Sequence, residues 1–86
     1  MIEWNKKTRY YDWYVKLPLG RGGCLSGRCL TKEKAIQHES IACNALIVQP
    51  ALTITEFHDM KQVLLDVFNS PAHTQRIIHV LTGRGQ

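Results

Sequence analysis

The stretch RYYDWYVKLPLGRGGCLSGR, residues 9–28, decides the fold, because it reads as two strands around a turn. Tyr11, Trp13, Val15 and Leu17 alternate with Tyr10, Asp12, Tyr14 and Lys16, the period of a strand with one face on a core. Pro18 lacks an N–H to give to a ladder and ends the pairing. The LGRGG that follows, residues 19–23, holds three glycines able to take positive φ. CLSGRCL, residues 24–30, then returns as a second strand. Pairing about Arg21 sets Leu17 opposite Leu25, Val15 opposite Gly27 and Trp13 opposite Cys29. That register keeps one face apolar and sends Tyr10, Asp12, Tyr14, Lys16, Ser26 and Arg28 to the other.

Beyond the hairpin the periodicity becomes helical. Thr31 is an N-cap for a helix over residues 32–48, ended by Pro50, with an exit into a short strand at residues 46–48 as the alternative. Ala35, Ile36, Ala42, Cys43, Leu46 and Ile47 mark its apolar positions. In LTITEFHDMKQVLLDVFN, residues 52–69, Thr53 and Glu56 have the spacing of a capping box. Phe57, Met60, Val63, Leu64, Val67 and Phe68 then form a helical stripe. In SPAHTQRIIHVLTG, residues 70–83, Ser70, Pro71 and Gly83 are start and stop signals of a helix, although RIIHVLT would also suit a strand. The helix is favoured. The expected fold is α+β: an N-terminal antiparallel β-hairpin followed by two or three helices packed on it. Residues 1–8 are assigned to a flexible basic N-terminal arm and residues 9–86 to a single small domain.

Length and charge narrow the function. The chain has 86 residues, 44% of them hydrophobic, which suits one globular domain with a thin stability margin. Residues 1–28 carry six Lys or Arg against two acidic residues, whereas residues 29–86 carry five of each. The whole net charge of +4 therefore lies in the first third, which points to an anionic partner. The longest purely apolar run, residues 45–48, is far too short for a membrane span, so no membrane partner is expected. The start MIEWNKKTRYY has no apolar leader core, and three cysteines do not close into a disulfide framework. A cytoplasmic location with reduced thiols is expected.

The chemistry-bearing candidates follow. Aromatic rings stack on bases and cations neutralise phosphates, so Arg9, Tyr10, Tyr14, Lys16, Arg21 and Arg28 form a candidate surface for nucleic acid or for a protein partner. Cys24, Cys29, His38 and Cys43 have the composition of a zinc site, but their spacings fit neither a continuous strand nor a continuous helix. No metal site is therefore assigned, and no cofactor. His73, Gln75, Arg76 and His79 would be the base readers if the last helix were a recognition helix, although that segment is not notably basic. No nucleophile–base spacing or phosphate loop stands out; GRGG, residues 20–23, lacks the following Lys-Ser/Thr. The expectation is a non-enzymatic, small basic binding module that contacts nucleic acid through the aromatic and basic hairpin. The alternative is an inhibitor or adaptor, of the kind found in phages and mobile elements, that docks on an acidic protein surface of a nucleic-acid-processing complex. A hairpin without a third strand also suggests a homodimer through its open edge.

Overall fold

The computed structural model describes residues 1–69 and 73–84. Three strands, β1 (Ile2–Asn5), β2 (Tyr10–Lys16) and β3 (Cys24–Cys29), are followed by three helices, α1 (Lys32–Val48), α2 (Ile54–Phe68) and α3 (His73–Arg84). The strands form one antiparallel sheet in the order β1-β2-β3. The fold is α+β, with the hairpin of residues 10–29 at its centre.

The sheet is wider than expected by one strand. Residues 2–5, assigned to an arm ahead of the domain, form β1, with Ile2 opposite Trp13 and Trp4 opposite Tyr11. Ile2 and Trp4 share the face of Trp13, so the segment has apolar surface to bury, and Trp4 packs on Tyr11 at 4.8 Å between ring centroids. β1 thus supplies from within the chain the third strand that the homodimer argument sought in a second copy.

The β2–β3 register also differs, by two residues. Trp13 faces Gly27, Val15 faces Leu25 and Tyr11 faces Cys29, so the pairing centres on Gly20 rather than Arg21. A two-residue shift matches the strand period and leaves every side chain on its expected face. Trp13 explains the choice. A Cβ on residue 27 would lie 2.8 Å from the indole Nε1, so glycine is the residue that lets the ring lie flat beneath β3. The connecting loop closes with Leu17 N–H donating to the Gly23 carbonyl at 3.2 Å. Leu19 and Gly20 both take positive φ, the pattern of a turn matched to strand twist.

α1 is the hub, packing against all three strands and both other helices. Thr31 caps it, its hydroxyl accepting from Lys34 N–H at 3.2 Å, and the helix runs through residues 46–48 without a strand. It buries Ala35, Ile41, Ala42, Ala45 and Leu46 but leaves Ile36, Cys43 and Ile47 exposed, so part of its expected apolar face looks away from the core. α2 begins with the expected capping box, Thr53 and Glu56 each bonding the other's backbone N–H. α3 is a helix, as favoured, and continues through Gly83 instead of stopping before it. The expected start signals Ser70 and Pro71 lie outside the described residues. Trp13, Leu25, Ile41, Leu52, Phe57 and Leu64 are fully buried between sheet and helices. Among the described residues, no helix is long and apolar enough to cross a membrane.

Candidate nucleic-acid interface

The helices cover one face of the sheet. On the opposite face β1 presents Glu3 and Asn5, β2 presents Tyr10, Asp12, Tyr14 and Lys16, and β3 presents Cys24, Ser26 and Arg28. The alternation read from the sequence therefore places Tyr10, Tyr14, Lys16 and Arg28 together. The guanidinium of Arg28 lies 5.6 Å from the centre of the Tyr10 ring, a cation–π distance, and its Nε is 3.7 Å from Asp12 Oδ1. So exposed an ion pair adds little stability; its effect is to aim the guanidinium.

Tyr14 sits further along the face. Its hydroxyl donates to Glu3 Oε1 at 3.5 Å and also contacts the Met1 sulfur. Partial burial and then the Glu3 carboxylate push its phenol above the usual tyrosine range. Tyr14 borders a shallow depression of about 420 Å³ with Asp12, Cys24, Ser26 and Arg28, floored by Trp13 and Gly27.

The two remaining expected residues lie at opposite ends of β2. Arg21 is in the β2–β3 loop, where its Nη1 donates to the Pro50 carbonyl at 2.7 Å and ties the loop to the α1–α2 connection. Arg9 is in the β1–β2 turn, in the left-handed region at φ 62°. That turn is tightly specified. The Asn5 side-chain oxygen accepts from the N–H groups of Lys7 (2.9 Å) and Thr8 (3.2 Å), and Arg9 N–H donates to the Asn5 carbonyl at 2.8 Å. The Thr8 hydroxyl accepts from Tyr10 N–H, and Asn5 Nδ2 donates to Asp12 Oδ2 at 3.2 Å. One network thus runs from the turn through Asp12 to Arg28.

The turn presents Lys6, Lys7 and Arg9, all exposed, and none has an ion-pair partner among the described residues. Lys6 and Lys7 are not among the candidates read from the sequence, because residues 1–8 read as an arm. Their signal is an asparagine, the usual opener of such a turn, between IEW and YYDWYV, both of which alternate.

The other candidates do not converge. Cys24 is on the open face and Cys29 on the buried one, as their odd spacing requires. His38 and Cys43 lie on α1, and among the described residues no group of three His, Cys, Asp or Glu could hold a metal ion. Gln75, Arg76 and His79 border a groove between α2 and α3 with Val67 and Val80; the side chain of His73 lies outside the described residues.

His38 packs edge-on to Trp13, 6.0 Å between ring centroids, with its Nδ1 buried and unpartnered. Burial first, then Lys61 and Lys34, lower its pKa below the ordinary 6.5. The neutral ring is thus favoured by folding. Its contribution to stability is complete above pH 6.5 and is lost as pH falls from there through the folded-state value. Denaturation midpoints from pH 7 downward should fall on acidification, and His38→Phe should flatten the part of that slope nearest pH 6.5. An unchanged slope would show that His38 is not responsible.

Comparison of the chain with protein-family models, curated proteins and solved structures finds no match.

Proposed function

We propose that the protein is a small, non-catalytic binding module that contacts nucleic acid through the open face of its basic, aromatic hairpin of residues 9–28 and the turn beside it. The observation that carries this reading is the grouping at one end of the open face. Arg28 lies over Tyr10, braced by Asp12, beside a specified turn whose Lys6, Lys7 and Arg9 form no ion pair among the described residues, although Glu3 and Asp12 border the same depression as Lys6 and Lys7. Cations free of internal partners are available to phosphates, and binding there releases counterions from the nucleic acid. Tyr14 and Lys16 extend the same face. Arg21 is at the far end of β2, already bonded to Pro50, and is the weakest of the six candidates.

A second reading has its own support. Glu3 and Asp12 interleave with Lys16 and Arg28, so the middle of the sheet face carries both signs. The tyrosines and the arginine on it are residue types enriched at protein interfaces, and Lys16 and Arg28 suit acidic groups spaced across a protein partner.

Fluorescence anisotropy of labelled single- and double-stranded DNA and RNA, at low and then rising salt, distinguishes the two. Binding at low salt that weakens steeply with added salt is expected, with loss of affinity in Arg28→Ala combined with Tyr10→Ala. No binding to any of the four probes at low salt would overturn the reading, and a stoichiometric complex with an acidic protein would then replace it.

A further inference from the structure

The tip and the middle of the open face differ in charge, and that difference bears on which form of nucleic acid would be bound. This inference rests on the function proposed above. A single strand laid across the sheet would meet the carboxylates of Glu3 and Asp12 as well as Lys16 and Arg28. The rings it would need for stacking are engaged: Tyr10 lies beneath Arg28, and the Tyr14 hydroxyl is held by Glu3. The end of the sheet is different. Asn5 opposite Tyr10 is the last β1–β2 pair, and Lys6, Lys7 and Arg9 project beyond it. β3 ends at Cys29, opposite Tyr11, so the start of α1 emerges on the same end with the exposed Lys32 and Lys34 and, between them, Glu33.

We propose that this end takes double-stranded DNA, with the β1–β2 turn entering the major groove and its cations on the flanking phosphates. Past the end of β3 only the Asn5–Tyr10 pair and the turn of residues 6–9 project; with neighbouring strands about 4.8 Å apart, this two-stranded tip is narrow enough for the B-form major groove, roughly 12 Å wide. The deep, narrow major groove of an A-form RNA duplex does not admit it. Recognition would be largely indifferent to sequence. The amide side chain at the tip is that of Asn5, and both ends of it are used internally, on Lys7, Thr8 and Asp12. What remains is Lys6, Lys7 and Arg9, and cations placed on the flanking phosphates carry no sequence information.

The test is anisotropy with a labelled DNA duplex of mixed sequence, its separated single strand, and an RNA duplex of the same sequence. The DNA duplex should bind about tenfold tighter than either, and unrelated duplexes should bind alike. Log affinity against log salt should become shallower by about 2.7 in Lys6→Ala/Lys7→Ala/Arg9→Ala, at about 0.9 for each phosphate no longer neutralised. Arg76→Ala, on α3, which packs on α1 and α2 and not on the sheet, should leave the slope unchanged. All four side chains are exposed, and circular dichroism checks that both variants fold. Preference for the single strand with loss of binding in Tyr14→Ala would overturn this inference yet leave the proposed function standing. Preference for the RNA duplex, or a triple variant with the parent's salt slope, would do the same. No binding to any probe would remove both.

Discussion

Gly27→Ala is expected to be the most damaging single-methyl substitution in the protein. The added Cβ would stand 2.8 Å from Trp13 Nε1, 3.0 Å from Cε2 and 3.1 Å from Cζ2, too close for any of the three. Neither partner can give way cheaply. Trp13 is fully buried and held edge-on by Phe57 at 6.1 Å and by His38 at 6.0 Å. Residue 27 is bound in the middle of the β2–β3 ladder, with Tyr11–Cys29 and Val15–Leu25 on either side. Overpacking of this kind costs about 3 kcal/mol, the upper part of its usual range. In a domain of this size that lowers the melting temperature by about 15 °C. Ser26→Ala, one residue away on the open face, should change little. In a Trp13→Phe background the cost of Gly27→Ala should shrink, because the smaller ring vacates the space; a double-mutant cycle measures that coupling. Equal cost in both backgrounds would show that the indole does not select glycine.

The second large effect is Phe57→Ala. Phe57 is fully buried on the core side of α2, against Trp13 across the sheet–helix interface. Removing a buried phenyl leaves a cavity that a three-helix layer over a sheet fills only in part, at a cost of about 4 kcal/mol. Total stability for 86 residues is on the order of 4–13 kcal/mol, so the variant should be near or past its folding threshold. Val63 belongs to the same periodic stripe in sequence but is 50% exposed, and Val63→Ala should cost no more than about 0.5 kcal/mol. Urea denaturation of the two variants compares them directly, and similar losses would contradict the placement of the core.

That contrast shows what is legible in the sequence. Alternation and capping residues, both local signals, identify the strand face of Trp13, Val15 and Leu17 and the helices α1 and α2; for α3 the same signals leave a strand open as an alternative. They do not separate Phe57 from Val63, or Ala35 from Ile36, because which part of a broad apolar stripe meets the core depends on the angle at which helices cross the sheet. The hairpin register expected from the sequence is off by two for a related reason. Loop length and alternation allow either pairing, and only the three-dimensional demand of the Trp13 indole for a glycine selects one. β1 is a weak reading by period because IEW is only three residues of alternation; it is held by pairing with β2, with Ile2 opposite Trp13 and Trp4 packed on Tyr11. For the candidate surface, alternation brings Tyr10, Tyr14, Lys16 and Arg28 to one face. Asn5 fixes its turn through local bonds to Lys7 and Thr8, but the contacts that link Asn5 to Asp12 and Asp12 to Arg28 span strands, and no spacing along the chain encodes them.

Amide chemical-shift mapping of the labelled protein during titration with a DNA duplex tests the central proposal most directly. Perturbations should concentrate at residues 5–10 and at Arg28, diminish toward Lys16 and Arg21, and vanish as salt is raised. Shifts confined to α2 and α3, or a spectrum that does not change at low salt, would contradict it.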